Sequence, residues 1–396
     1  MKILISGTGI AGPSLAYWLL KTGHTPVLLE KAPALRKGGY IIDFWGAGFD
    51  IAERMGILPR LQQCGYKVDD IKFVNQAGDR IGGFSAKVFD SATNGRYLSL
   101  ARSELAAAIY QALDGQVETR FDTTIESLVQ ESKTTKVRFN NGSSENFDLV
   151  IGADGLHSQV RELTFGASSK YERYLGYKVA AFETEGYTPR EDLVYVMFTE
   201  VGKQISRFTM RDNKTLFLFI FAEDSETPES TPHDLNTQKK ILEREFSNSG
   251  WECAHILRAL DETNTLYFDR VSQIRMPHWT QGRVALVGDS AFCPSLLSGQ
   301  GTALAMIGAY MLAYQLEAFS GDHEKAFPAY EHGLRAFMDK KQKAAEQFSG
   351  AFAPKTAFGL FFRNQITKLF SVPFIADMAM GRELRDAIEL PEFKAA

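Results

Sequence analysis

The chain opens Lys2-Ile-Leu-Ile-Ser6, passes at once into Gly7-Thr8-Gly9-Ile10-Ala11-Gly12, and continues through an apolar stretch to a second apolar run that ends on Glu30. This order constrains the fold more than any other feature. The first run reads as a buried strand, residues 11–22 as a helix and residues 26–30 as a second strand, which together make the start of a βαβ unit. Gly7 permits the tight turn, Gly9 lets backbone N–H groups approach a pyrophosphate, and Gly12 lets the helix pack closely on the strand. The helix N-terminus favours negative charge, and Glu30 is placed to accept from ribose hydroxyls. An ordinary glycine-rich turn would lack the strands, the helix and the acid in register. The motif alone does not separate FAD from NAD.

With 396 residues, 44% hydrophobic and 23% charged, the chain is too long for a single core, so two structural regions are expected. Lys and Arg total 44 against 48 Asp and Glu, and a net charge of -4 gives no electrostatic reason to expect nucleic acid as a partner. Cys64, Cys253 and Cys293 are odd in number and lack metal-ligand spacing, which indicates neither a disulfide framework nor a zinc site. A cytoplasmic setting is expected. The opening residues turn on glycine too early for a signal peptide. Residues 356–380 are apolar but interrupted by Arg363, Lys368, Pro373 and Asp377, so stable membrane insertion is not expected, although surface contact stays open.

Further along come a glycine-rich stretch (37–48), a helix through Met55, and an amphipathic helix from Leu105. Two strands near 137–150 flank Asn141-Gly142, a hairpin signal. Residues 172–222 alternate and are rich in aromatics, which predicts a mostly antiparallel sheet, and residues 223–238 read as a polar connector. Two later motifs matter. One is Asp148-Leu-Val-Ile-Gly-Ala-Asp154-Gly155-Leu-His157-Ser158-Gln-Val-Arg161; its ordinary reading is a core strand and a turn. The other runs from Arg283 through Gly288-Asp289 to Cys293-Pro294, followed by Ser298-Gly299-Gln300-Gly301-Thr302 and an Ala-rich helix. Its ordinary reading is a helix cap; its functional one is a helix terminus that stabilises negative charge on a reduced ring, with Asp289 holding a sugar-like chain.

Together, in this order, the three motifs resemble the class A flavoprotein aromatic hydroxylases of the para-hydroxybenzoate hydroxylase type. The resemblance implies an α/β fold: an FAD-binding Rossmann-like domain of the GR2 type over residues 1–70, 98–170 and 275–345, a mostly antiparallel substrate-binding domain over 71–97 and 171–274, and a C-terminal helical segment over 346–396. It implies non-covalent FAD, reduced by NADPH or NADH bound transiently, since no second glycine fingerprint is present. Gly7, Gly9, Gly12 and Glu30 would hold the ADP moiety, Arg102 the flavin nucleotide, Asp154 and Gly155 both FAD and reductant, and Gly288 and Asp289 ribose and ribityl, with Ala11, Lys31, Arg36, Gly39, Pro294, Gly299, Gln300, Gly301 and Thr302 as further cofactor contacts. Ala303 and Gly308-Ala309 depart from the family pattern, so carry-over is less secure there. Gly38-Gly39-Tyr40-Ile-Ile-Asp43, Cys293-Pro294-Ser295 and the tail from Phe352 look most like the branch that contains tetracycline-inactivating monooxygenases, a likeness shared with hydroxylases of other polycyclic aromatics.

The expected partner is a small aromatic molecule, and the protein a monomer or homodimer. Phe208, Met210, Phe217, Phe219 and Phe221 alternate along strands and offer one wall for a flat pocket; Gln204, Arg207, Arg211, Phe219 and Pro294 are the candidate substrate contacts. No acid–base dyad stands out, and catalytic residues are left unassigned. His157 is either a proton carrier or a surface histidine, and Cys293 a buried small hydrophobe. Three rivals remain: a flavin-dependent halogenase or reductase on the same nucleotide fold, the halogenase's Trp-x-Trp-x-Ile-Pro signature being missing; an NAD dehydrogenase, which leaves the Gly-Asp motif unexplained; and a non-catalytic flavin-binding protein. A hydroxylase of a simple phenol or polyketide is the nearer alternative.

Overall fold

The computed structural model describes residues 1–36, 38–223, 231–232, 234–369 and 388–394. Two large sheets organise it. The first has the order β17-β18-β11-β1-β2-β7. Strands β1 (Lys2–Ser6), β2 (Thr25–Leu29), β7 (Glu118–Arg120), β11 (Leu149–Gly152) and β18 (Val284–Leu286) run parallel, and β17 (Thr280–Gln281) is an antiparallel edge. Ile3, Leu4, Ile5 and all of Leu149, Val150 and Ile151 are fully buried. A parallel sheet covered on both faces demands continuous apolar runs, which is what the sequence shows there. Helices α1 (Ala11–Lys21) and α10 (Gly301–Ala318) pack together on it, with Trp18 edge-on to Tyr310. A small antiparallel sheet of β8 (Ile125–Gln130), β9 (Thr135–Phe139) and β10 (Ser144–Phe147) flanks it, and Asn141-Gly142 makes the turn between the last two.

The second sheet has the order β16-β12-β15-β14-β13-β4-β5. Its strands are β4 (Asp70–Val74), β5 (Arg80–Ser85), β12 (Glu172–Glu185), β13 (Val194–Glu200), β14 (Lys203–Thr209), β15 (Lys214–Ala222) and β16 (Tyr267–Ile274); every pairing is antiparallel except β13 with β4. Helices α7 (Leu235–Phe246) and α8 (Cys253–Glu262) cover its outer face, where Leu242, Phe246, Ile256 and Leu260 meet Phe182, Phe217, Phe219 and Phe221. The expected polar connector is therefore shorter than predicted. Asp234 caps α7 by accepting from the Thr237 N–H at 2.8 Å, so its last four residues are helical, while 224–230 and 233 lie outside the described residues.

Between the sheets stands an antiparallel ribbon of β3 (Ile41–Trp45) and β6 (Tyr97–Ala101). Ile42 and Phe44 enter the first core, while Ile41 packs with Tyr195 and Leu218 of the second sheet, so alternation along β3 aims Asp43 toward that sheet. Short helices α2 (Ala47–Arg54), α3 (Leu58–Cys64), α4 (Lys87–Ala92), α5 (Arg102–Gln111), α6 (Gln159–Phe165) and α9 (Asp289–Phe292) complete the connections. The C-terminal helix begins well before residue 346. Helix α11 (His323–Phe352) runs from the first core, where Tyr330 Oη donates to the Leu286 carbonyl, to the second sheet. Helix α12 (Ala357–Leu369) lies on β5, and residues 388–394 return without helix to stack Phe393 on Trp18 at 5.1 Å and 6°. Residues 370–387 of the expected helical tail lie outside the described residues.

Candidate active site

The glycine loop between β1 and α1 is fixed by close approach. Gly7 has φ +107°, and a Cβ there would sit 2.5 Å from the Ala153 carbonyl oxygen; one at Gly12 would sit 1.9 Å from the Gly7 oxygen. Gly9 is different. A Cβ there meets only the Arg102 guanidinium, at 3.5 Å, and otherwise enters the cavity. Glu30, nearly buried, closes the loop from β2: its carboxylate accepts from the Thr8 N–H (3.2 Å), the Thr8 hydroxyl (2.5 Å) and the Ala32 N–H (3.0 Å). Burial pushes its pKa up, but these donors and the charge of Arg36 outweigh burial and hold it below the ordinary carboxylate value. Lys31 and Arg36 are exposed beside it, and Gly39 has φ +123°.

Asp154 departs from expectation. Its carboxylate accepts from the Ser158 hydroxyl (2.5 Å) and the N–H groups of Gln159 (2.8 Å) and Val160 (3.1 Å), because the unpaired N-terminal amides of α6 need acceptors. It is engaged by protein and does not line the cavity. Gly155 does line it, with its N–H on Ser290 Oγ at 3.1 Å. His157 is half exposed and pairs with Asp269 of β16 at 3.2 Å, a tie between the two sheets.

Gly288 (φ +69°) lies under Ala11 and turns the chain from β18 into α9, which delivers Asp289 into the cavity. Burial raises the Asp289 pKa, opposed by the positive charge of Arg102 and a hydrogen bond from Cys293. Arg102 faces the same space, and among the described residues its guanidinium has no hydrogen bond. Burial and then the charge of Asp289 hold the Cys293 thiol well above its usual range, which disfavours the thiolate. Gly299, in the left-handed region at φ +65°, leads into the first turn of α10, which carries no acid and no side-chain cap. Thr302 Oγ1 and, across the cavity, Ser272 Oγ are buried polar atoms without a partner among the described residues. Free amides, an unpaired guanidinium, a buried carboxylate and unpartnered hydroxyls around a glycine-lined cleft fit a dinucleotide with a polar chain and an anionic ring.

The cavity, about 270 Å³, joins these loops to the inner face of the second sheet. Gln204 and Ser206 (β14), Tyr195 and Met197 (β13), Leu218 and Ile220 (β15), Tyr267 (β16), Asp43 and Phe352 line the far side. Strand alternation overturns part of the expected wall. Arg207 and Phe219 point to the outer face: Arg207 pairs with Glu191 (3.1 Å) and Glu252 (3.3 Å) and donates to the Pro189 carbonyl, and Phe219 is edge-on to Phe246. Phe217 and Phe221 share that face, while Phe208 and Met210 face inward but pack near Tyr66. Arg211 donates to the carbonyls of Cys64 (2.7 Å) and Gly65 (2.6 Å) over the Tyr66 ring, anchoring the sheet instead of a ligand. Gln204 does reach the cavity, but its amide also donates to the Phe352 carbonyl at 2.9 Å. Pro294 turns its carbonyl to Gln273, and its neighbours Cys293 and Ser295 line the cavity instead; Gln300 is likewise absent from the lining. Asp43, Tyr195, Met197 and Tyr267 were not anticipated. Only Asp43 left a signal, one acid inside the apolar run Ile-Ile-Asp-Phe-Trp.

A family model described as an FAD binding domain matches residues 1–341. The crystal structure of tetracycline destructase Tet(55) superposes with a TM-score of 0.82 at 34% identity, covering 99% of this chain and 98% of that one. Tet(51) gives 0.81 at 30% identity, with 99% of both chains covered. A curated flavin-dependent monooxygenase from Legionella longbeachae is 31% identical over 396 residues, covering 100% of this chain and 99% of that protein.

Proposed function

We propose that this chain, which belongs to the FAD binding domain family of flavin-dependent monooxygenases, takes electrons from NADPH or NADH and places one atom of O2 on a flat, electron-rich fused-ring substrate. Tetracycline is the first compound to test. The observation that carries this reading is a continuous cavity that runs from Gly9, Arg102 and Asp289 to the apolar and aromatic inner face of the second sheet. Bound FAD supplies the redox chemistry of hydride acceptance and O2 activation.

The protein's own groups bind, orient and exclude water. Backbone amides at Gly9 and the start of α1 receive the pyrophosphate, Glu30 the ribose hydroxyls, and Asp289 the ribityl hydroxyls. Arg102 and the uncapped first turn of α10 supply positive potential where the reduced ring would carry negative charge. Tyr195, Met197, Leu218, Ile220 and Tyr267 present a surface suited to stacking a flat ring system and displacing water from it. Among the described residues no helix is long and apolar enough to cross a membrane, and a cytoplasmic supply of reduced nicotinamide matches the reaction.

The test is oxygen incorporation. With ¹⁸O2, NADPH and FAD-loaded protein, tetracycline should gain one labelled oxygen atom and accelerate NADPH consumption. If a simple phenol does both and tetracycline neither, the fused-ring assignment fails; if no phenol, polyketide or tetracycline does either, the substrate class fails.

A further inference from the structure

Asp43 is the one acid that β3 turns toward the second sheet, and its surroundings are specific. Across the ribbon it is in register with Ser99. Its Oδ1 accepts two hydrogen bonds, from Tyr97 Oη at 2.6 Å and Ser99 Oγ at 2.5 Å, and those hydroxyls are themselves 2.9 Å apart. Tyr195, from β13, touches the same Ser99 hydroxyl. Oδ2 receives no hydrogen bond from the described residues, and Asp43 and Tyr195 both line the cavity. No cation among the described residues pairs with the carboxylate. Helices α2, α3, α5 and α10 pack on the ribbon, and none of their charged side chains acts on the Asp43 carboxyl, whose polar neighbours are Tyr97, Ser99 and Tyr195, with Tyr66 behind Tyr195.

This is not the pattern of a structural carboxylate. A carboxylate kept for stability has both oxygens engaged or a cation beside it, as Asp154 does in this molecule, where Oδ1 accepts from Ser158 and Oδ2 from the N–H groups of Gln159 and Val160. Here one oxygen is locked, which fixes the plane of the group, and the other faces the space a ligand would fill. We propose that Asp43 is the proton acceptor for the substrate, taking the proton of a phenol or enol hydroxyl on Oδ2. The assignment rests on the oxygenation reading above. The substrate O–H bond breaks and an O–H bond forms on Oδ2; the electron pair stays on the substrate oxygen and raises the density at its ortho or para carbon, where the new C–O bond forms. Over the full turnover the substrate, O2, NAD(P)H and one proton give the hydroxylated substrate, water and NAD(P)⁺. Burial, only partly opposed by the Ser99 and Tyr97 hydroxyls, holds the Asp43 carboxyl above its usual range and so closer to the proton affinity of an enol or phenol.

The experiment measures protons rather than turnover. FAD-loaded protein is titrated with 4-nitrophenol at a pH above the ligand's own pKa, in two buffers of different ionisation enthalpy, by calorimetry. Two negative oxygens in contact cannot both stay ionised, so the wild type should take up about one proton per bound phenolate. Asp43→Asn keeps Oδ1 as acceptor for Tyr97 and Ser99 and should take up almost none. A second measurement needs no variant: 4-nitroanisole, which has the ring without the acidic hydroxyl, should bind wild type with no uptake. Equal uptake in wild type and D43N, equal uptake for the two ligands, or no binding of the phenol to wild type overturns the assignment. On any compound that acquires oxygen, D43N should lower kcat by about 10²–10⁴-fold with KM little changed; an unchanged kcat overturns the assignment too. A proton-uptake difference in a protein that oxygenates no phenol or enol supports Asp43 and refutes the proposed function instead.

Discussion

Replacing Gly9 with valine separates cofactor binding from folding, because two glycines three residues apart serve different purposes. A Cβ at Gly12 would lie 1.9 Å from the Gly7 carbonyl oxygen, inside any tolerable contact, whereas one at Gly9 meets only the end of a flexible arginine at 3.5 Å. Gly9 also lacks a positive φ, so an L side chain carries no backbone penalty there. Gly9→Val should change the stability of FAD-free protein by no more than about 1 kcal/mol, the range of substitutions that create no cavity, clash or strain. The valine methyls stand where a pyrophosphate must approach the backbone. Each charge-assisted hydrogen bond lost is worth about 1.5–3 kcal/mol, which raises the Kd for FAD by roughly 10- to 150-fold per bond. Gly12→Ala should instead lose the fold. Equilibrium dialysis with FAD gives the Kd, and urea unfolding of the FAD-free proteins gives the stability. A folded Gly9→Val protein that binds FAD within threefold of wild type would show that no pyrophosphate lies against this loop.

Three further outcomes follow from the buried charges. Burial raises the Asp289 pKa above 3.8, so the folded state holds that proton more tightly than the unfolded chain, and stability falls as pH rises from 3.8 through the folded value. Urea unfolding of FAD-free Asp289→Asn should not show that fall, while its FAD affinity drops about tenfold or more for the lost charge-assisted bond. Glu30 has the opposite sign: its folded value lies below 4.5, so its contribution is present above 4.5 and is lost as pH falls through the folded value. Glu30→Gln should be flat over that window and less stable at neutral pH by about 1–3 kcal/mol. Arg207→Ala should destabilise by about 3–5 kcal/mol by leaving the mostly buried Glu252 without its ion-pair partner, while Glu191 keeps Lys72 at 2.9 Å; a changed KM with an unchanged melting temperature would restore Arg207 to the substrate site.

The parts of the fold that were legible in the sequence are those with a single physical solution. A strand buried on both faces has to be apolar throughout, and a position where a Cβ would sit 1.9 Å from the Gly7 carbonyl oxygen has to be glycine, so β1, the loop and α1 declare themselves locally. The second sheet is legible as a sheet but not by face. Along β14 and β15 large side chains occupy both sides, because α7 and α8 cover one face and the β3–β6 ribbon approaches the other. Nothing in the segment from Lys214 to Ala222 tells Leu218 from Phe219; only the covering helices, the first of which begins at Leu235, decide that the phenylalanines face away from the cavity. Asp154 misleads for a related reason: the spacing that places it after a strand also places it over the bare amides of α6, and local capping claims its carboxylate. Asp43 shows the converse. In sequence it is a lone acid in a strand, which alternation would assign to solvent, and its character comes from Tyr97, Ser99 and Tyr195, which lie 54, 56 and 152 positions onward (97 − 43, 99 − 43 and 195 − 43). Residues whose chemistry is fixed by their neighbours along the chain can be read from the sequence, whereas those whose chemistry is fixed across a sheet register emerge only when the register is known.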